Sequence, residues 1–291
     1  ALLADLPAPW FVWLHYTDPH APYEPPDSTP LRPWELTPSA PMSVAERAAP
    51  GFQRTNPWFV EAFRRFPDTA TVAGRYVGEV QAMDAALGAL RDGLTAAGHR
   101  DDTVWIVTAD HGENMGEHNL FFHHGGLYAA SVHVPLLVAI PGAAPRALPA
   151  SVSSVDIAPT VLELAGVPPW PGMRGHSLVA YGRGAAAAPA SYAFSEHMLG
   201  QLASVRGPEG TLIVHRRRSR QFPSYPMTPG TEELFGADDL REARPLPARG
   251  AAVTRLRQAL AAFLAAPTPD WQARPAPPSN HESLRSLGYT E

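Results

Sequence analysis

Apolar positions along the chain follow two distinct periods. Residues 10–14 ("WFVWL"), 103–108 ("TVWIVT") and 134–140 ("VPLLVAI") are short apolar runs bounded by proline or polar turns, the pattern of strands buried on both faces. Between the first two, Val72, Tyr76, Val80, Met83, Leu87, Leu90 and Leu94 recur at spacings of three and four, which predicts a helix over 71–97 that Gly98 ends. Strand, long helix, strand is the order of a parallel α/β sheet. A further helix is predicted over 154–166, with Asp156 as its cap and Pro159 tolerated in its first turn.

The pattern changes after the low-complexity stretch "GRGAAAAPA" at 182–190. "SYAFSEH", "LASVRG" and "GTLIVHR" have the length and β character of a small antiparallel sheet, residues 251–265 form a closing helix, and the proline-rich stretch 267–280 is irregular. Residues 17–67 read as a long irregular segment with a short helical piece at 58–66. Two units result: 1–185 as part of an α/β core, and 186–291 as a small α+β subdomain with an irregular tail.

Composition narrows the function. The 291 residues suffice for a large core, and a net charge of −5 gives no reason to expect nucleic acid or an anionic membrane as partner. All 23 basic residues are arginine, which together with abundant alanine and 33 prolines points to coding bias rather than to a built arginine surface; "RRR" at 216–218 reads as a turn or strand end. The absence of cysteine excludes disulfides, thiolate metal sites and a cysteine nucleophile within these residues. No apolar stretch approaches the roughly 20 residues that span a bilayer, and the first residues lack the basic flank of a signal peptide.

The chemistry concentrates where strands end. In an open parallel sheet ligands sit beyond the carboxyl ends of the strands, so "TDPHAPY" (17–23) and Asp110-His111-Gly112, each following an apolar run, converge at one edge. Asp110 and His111 offer a carboxylate oxygen and an imidazole nitrogen, a pair suited to a divalent cation, and Gly112 lets the chain turn sharply around it. Glu113, Glu117 and His118 read as an exposed polar loop, and Asp156 as a cap rather than a ligand. His197 follows a strand of the small sheet and is a candidate to face the same pocket.

"YTDPHAPYEPP", "YVGEVQAMDAALGALRDGL", "VTADHGENMGEHNLFFHHGGLYAASVHVPLLV" and "SVDIAPTVLELAGVP…MRGHSL", in this order, resemble the sulfatase family of the alkaline phosphatase superfamily, and "ELFGADDLREARPL" and "LRSLGY" look like its closing segments. The resemblance implies an alkaline-phosphatase-like fold: a mostly parallel sheet flanked by helices, followed by a small antiparallel sheet plus helix. It implies metal ligation by Asp110 and His111, with Ca²⁺ the expected ion and Mn²⁺ or Mg²⁺ as alternatives. It makes His20 the group that protonates the departing oxygen. Where many relatives carry lysine, this chain has "HHGGLY", which places a second catalytic role on His124 and leaves His123 and His197 as substrate-binding candidates. A histidine there would carry charge only below its ordinary pKa of about 6.5.

The resemblance also implies parts these residues do not supply. Two further acidic ligands and a formylglycine nucleophile belong to an N-terminal half of the fold, which becomes the expected structural partner. "STPLR" at 28–32 matches the formylglycine motif formally, but it follows the Pro-His loop and Pro33 and Pro38 disturb the helix start that would hold a nucleophile. The expected function is metal-dependent hydrolysis of a small-molecule or carbohydrate sulfate ester, by a chain inactive alone. A phosphodiester or phosphonate monoester hydrolase and a non-catalytic remnant are the alternatives. A bacterial extracytoplasmic setting follows from the resemblance alone.

Overall fold

The computed structural model describes residues 9–31, 66, 68–148, 150–184, 192–197, 200–218 and 228–267. The long helix α1 spans Thr69–Ala96. It starts two residues before the apolar periodicity because Asp68, in extended backbone, accepts a hydrogen bond from Thr71 N at 2.7 Å. It stops at Gly98, whose φ of 88° lets His99 N reach back to Leu94 O at 2.9 Å.

Strand β1 follows at Trp105–Thr108, then a short hairpin of β2 (Asn114–Met115) and β3 (Phe121–His123), helix α2 (Ala129–Val132) and strand β4 (Leu136–Ala139). The predicted second and third strands thus both form. They pair antiparallel, with Trp105 opposite Ala139 and Thr108 opposite Leu136. Among the described residues every ladder is antiparallel, and the mostly parallel sheet is not observed. Residues 10–14 make no strand there, and Phe11, Trp13 and Leu14 are 68%, 75% and 51% exposed. An apolar run supplies one half of a strand; the other half is neighbours on its edges and faces. The helical piece at 58–66, except Phe66, lies outside the described residues, as do the stretch from 185 and the tail from 268.

Helix α3 (Ile157–Leu164) is introduced by a single 3₁₀ turn at Ser154–Asp156. Asp156 is buried: Oδ2 accepts from Ser153 N at 2.9 Å and Oδ1 from His176 N at 2.8 Å, so it is a structural carboxylate at the helix start. A short helix α4 (Val179–Gly182) packs beside it.

The small antiparallel sheet forms from β5 (Ala193–Glu196), β6 (Leu202–Gly207), β7 (Gly210–His215) and β8 (Glu232–Phe235), in that order. Alternation along the strands gives the sheet two apolar faces. Ala203, Val205, Leu212 and Leu234 pack on Val253, Leu256 and Leu260 of the closing helix α5, Ala251–Ala265. Leu202, Ile213 and Phe235 point the other way, onto Leu120, Leu127 and Tyr128. Glu242, 1% exposed, adds a polar tie: it accepts from Ala129 N at 2.7 Å and pairs with Arg206 at 2.5 Å. The small sheet therefore buttresses the loop of residues 120–128. No described helix is long and apolar enough to cross a membrane. Leu212→Ala, at a fully buried position, is expected to cost about 2–5 kcal/mol in urea unfolding, whereas Leu240→Ala, 68% exposed, stays within about 0.5 kcal/mol.

Candidate active site

The loop of His20 and two segments about 90 to 100 residues further along bring their histidines together. His20 sits in a turn closed by its own N–H on Thr17 O at 3.0 Å. His111 follows β1, and His124 follows β3. The His111 and His124 rings stack with centroids 4.0 Å apart, and His20 lies 6.2 Å from His111 and 5.9 Å from His124. His123 is 5.1 Å from His124, and His197 approaches His123 closely enough to disfavour its protonation. All the histidines singled out in the sequence as site candidates thus fall in one neighbourhood, with Asp110 beside His111.

The anchor of this arrangement is a pair the apolar pattern does not reveal. Tyr23 is fully buried, and its hydroxyl donates to Glu113 Oε2 at 3.0 Å. Arg75 Nε of α1 donates to Tyr23 O at 2.7 Å. Around them Ala21, Val72, Ala73, Phe121 and Phe122 form one apolar cluster, which locks the His20 loop onto α1 and the hairpin. Glu113 is thus a buried anchor rather than part of an exposed loop; its Oε1 is buried with no hydrogen-bond partner among the described residues.

The other loop residues also find structural work. Glu117 Oε2 accepts from Met115 N at 2.7 Å, and His118, at φ 53°, stacks on Tyr128 with centroids 3.4 Å apart. Asn114, fully buried, donates from Nδ2 to His123 O at 2.5 Å, Ser131 Oγ at 2.8 Å and Gly125 O at 3.2 Å, fixing the backbone that carries the histidine pair. Gly112 is required for a different reason than a sharp turn: a Cβ there would meet Ala130 O at 2.1 Å. Arg216 of the arginine run pairs with Glu196 at 3.0 Å at the strand end.

The hydrogen bonds assign tautomers, since a carbonyl only accepts. His20 Nδ1 faces Ala21 O at 2.8 Å and His111 Nδ1 faces Gly112 O at 2.9 Å, so both carry hydrogen on Nδ1, and in the neutral ring the lone pair lies on Nε2. His123 Nδ1 instead accepts from Gly125 N at 2.6 Å. Loss of hydration, reinforced by the charges that His197, His111 and His20 would carry, pushes His123 down to about 4. His124 is lowered as well, first by desolvation where its ring packs on the others, then by His111, His123 and His20. At neutral pH His124 is therefore uncharged, and the expected titration near 6.5 is displaced downward. An anion arriving among these rings favours their protonated forms.

The donor set also bears on a metal. Asp110 is exposed, its Oδ1 accepts from His111 N at 3.0 Å, and its Oδ2 lies 3.8 Å from His111 Nε2. One carboxylate and one imidazole with its Nε2 lone pair available fit a mixed oxygen and nitrogen site. Among the described residues no group of three or more His, Asp or Glu is set for a metal.

Comparison with known proteins places this assembly of helices and sheets in the alkaline-phosphatase-like superfamily. The chain belongs to the sulfatase family: the family model described as Sulfatase matches residues 1–167. It is 43% identical over 99 residues to arylsulfatase K of Danio rerio, a match covering 33% of this chain and 18% of that protein. It is 29% identical over 168 residues to choline-sulfatase of Rhizobium meliloti, covering 55% and 32%. Among solved structures, the phosphonate monoester hydrolase of Silicibacter pomeroyi superposes with a TM-score of 0.64 at 25% identity, covering 90% of this chain and 57% of that one. The chain thus spans under a third of the length of these curated relatives and just over half of the solved hydrolase.

Burial lifts the Glu113 carboxyl from its ordinary 4.5 to about 8, against the opposing hydrogen bond from Tyr23. The folded state then holds this proton more tightly than the unfolded chain, so stability is expected to fall as pH rises from about 4.5 through about 8. Glu113→Gln keeps an acceptor for Tyr23 and is expected to flatten that decline by about 2–5 kcal/mol between pH 4 and 9 in denaturant titrations. A wild-type decline unchanged in the variant would contradict the buried anchor.

Proposed function

We propose that this chain carries the leaving-group and part of the metal-binding side of a metal-dependent sulfuric ester hydrolase acting on a small-molecule or carbohydrate sulfate ester. The observation that carries the reading is the meeting of His20, His111 and His124 within 6.2 Å between ring centroids, in a chain of the sulfatase family. Asp110 and His111 would hold a divalent cation, Ca²⁺ before Mn²⁺ or Mg²⁺, which supplies charge neutralisation to the ester oxygens when bound. His20, fixed through Nδ1, presents Nε2 to the departing oxygen and delivers a proton there from its imidazolium form. His124, neutral before substrate binds, donates a hydrogen bond to the transferred group and gains a proton as anionic charge arrives. His123, at the end of β3, and His197, after β5 of the small sheet, border the substrate.

Residues 1–185 are read as the C-terminal part of the catalytic α/β core and 186–291 as its small companion. The nucleophile is read as coming from a further segment, a formylglycine in a sulfatase. Supporting this, the 291 residues hold no cysteine, and Leu137 and Val138 of β4 as well as Phe11, Trp13 and Leu14 are exposed apolar side chains that further parts of the fold would cover. A phosphonate monoester hydrolase is the second reading, favoured by the superposition over 90% of this chain and by histidine at 111.

Residues 1–291 alone are expected to show no turnover of aryl sulfate or aryl phosphonate above an Asp110→Ala background, with Ca²⁺, Mn²⁺ or Mg²⁺ present. The same residues joined to a nucleophile-bearing segment should turn over one ester class, and His20→Ala should lower kcat about 10²–10⁴-fold. Turnover by 1–291 alone, or an active complete protein indifferent to His20→Ala, would refute the assignment.

A further inference from the structure

The ring of His124 has little local support. Gly125 and Gly126 follow it, residues whose backbone loses the most freedom on ordering, so its direction has to be set by neighbours. On the upstream side Asn114 Nδ2 donates to the carbonyls of His123 and Gly125. On the downstream side Leu127 buries apolar surface, which is not directional, and the first side chain that fixes a direction is Tyr128. His118 stacks on the Tyr128 ring with centroids 3.4 Å apart and planes within 3°, and Phe235 meets it edge-on at 6.2 Å. A Cβ at Gly126 would meet Tyr128 Cδ2 at 3.1 Å, so the ring closes over the backbone two residues after His124.

Two carboxylates from the small subdomain then grip adjacent residues. The Tyr128 hydroxyl donates to Glu233 Oε2 at 2.7 Å, and Glu233 Oε1 accepts from His215 Nε2 at 2.7 Å. Ala129 N donates to Glu242 Oε2 at 2.7 Å, and Arg206 pairs with Oε1 of the same carboxylate. Backbone strain gathers around the same loop. Among the described residues the positive-φ positions other than glycine are His118, Phe122 and Glu242, at 53°, 52° and 53°. The first stacks on Tyr128, the second lies in β3 just before the histidine pair, and the third holds Ala129 N. Such backbone is costly and persists only where its surroundings over-determine it. Filling the space beneath the loop would need only a phenyl ring. The hydroxyl adds a directed tie to a carboxylate whose other oxygen a buried histidine engages.

We propose that Glu233, acting through the Tyr128 hydroxyl, is a positioning residue of the site: it sets the loop that carries His124 and so the stacking of His124 on His111 at 4.0 Å. His215, on the other oxygen of that carboxylate, holds Glu233 for this task. The consequence for rate rests on the hydrolase reading of the histidine cluster; the consequence for ring geometry does not. A donor displaced by about 1 Å from the transferred group lowers turnover by up to about 10²-fold without removing any group that touches substrate.

The geometric arm uses nuclear Overhauser contacts between the ring protons of His111 and His124 in the full chain. Tyr128→Phe keeps the stacked ring and removes the donor, and Glu233→Ala removes the acceptor. Both are expected to weaken the contact between His111 and His124 while that between His20 and His111 stays. Glu233→Gln keeps an oxygen for the Tyr128 hydroxyl, with His215 free to take its other tautomer, and is expected to retain the contact. In the complete protein Tyr128→Phe and Glu233→Ala should lower kcat about 10- to 100-fold with KM within about threefold, and Glu233→Gln should restore most of the rate. Should Glu233→Ala fail to fold by circular dichroism, Tyr128→Phe decides alone. An undiminished contact in folded Tyr128→Phe, a weakened contact with kcat unchanged, or a loss in Glu233→Gln as large as in Glu233→Ala would overturn the proposal. A weakened contact in a complete protein that hydrolyses no ester in any form would support the positioning and refute only the ester reading.

Discussion

The buried hydrogen bond from Tyr23 to Glu113 is the interaction on which the site depends. It joins residues 90 positions apart, one from the Pro-His loop and one from the turn after β1. Neither partner is replaceable by an apolar group without leaving the other's polar atom stranded in the cluster of Ala21, Val72, Ala73, Phe121 and Phe122. The bond and the apolar packing act together: packing brings the loop to α1, and the hydrogen bond sets its register so that His20 faces His111 and His124.

From that anchor outward, support comes from two sides. Asn114 and Ser131 fix the backbone of the histidine pair from within the hairpin. The small sheet holds the same loop from outside through Leu202, Ile213 and Phe235, with Tyr128 donating to Glu233 at 2.7 Å and His215 facing that carboxylate at 2.7 Å. A companion sheet that looks peripheral by sequence therefore positions catalytic candidates. The chemistry that results includes two imidazoles, His123 and His124, kept neutral first by desolvation and then by the neighbouring rings, and an anionic ester arriving there favours their protonated forms.

Much of this was legible in the residues. The seven apolar positions of α1, the two apolar runs of β1 and β4, and the closing helix at 251–265 were readable because each combines a strong period with a clear stop signal. His111 and His124 follow the ends of β1 and β3, whereas His20 follows no described strand and is brought to them by the contact of Tyr23 with Glu113. Strand β8 was not readable: "EELF" opens on two glutamates, and its stability comes from pairing with β7 and from the bonds of Glu233, which are tertiary. Residues 10–14 failed in the opposite direction, since hydrophobicity without neighbours makes no ladder among the described residues. Glu113 looked like a surface polar residue because a sequence shows polarity but not the partner that satisfies it.

The Tyr23 to Glu113 bond holds His20 against His111 and His124. Nuclear Overhauser contacts between histidine ring protons, with the rings labelled selectively, measure it directly. Cross-peaks from His20 to both His111 and His124 are expected in the native protein, with weakening in Tyr23→Phe while the small sheet keeps its own contacts. Absence of those cross-peaks in the folded native protein, or their persistence undiminished in Tyr23→Phe, would contradict it.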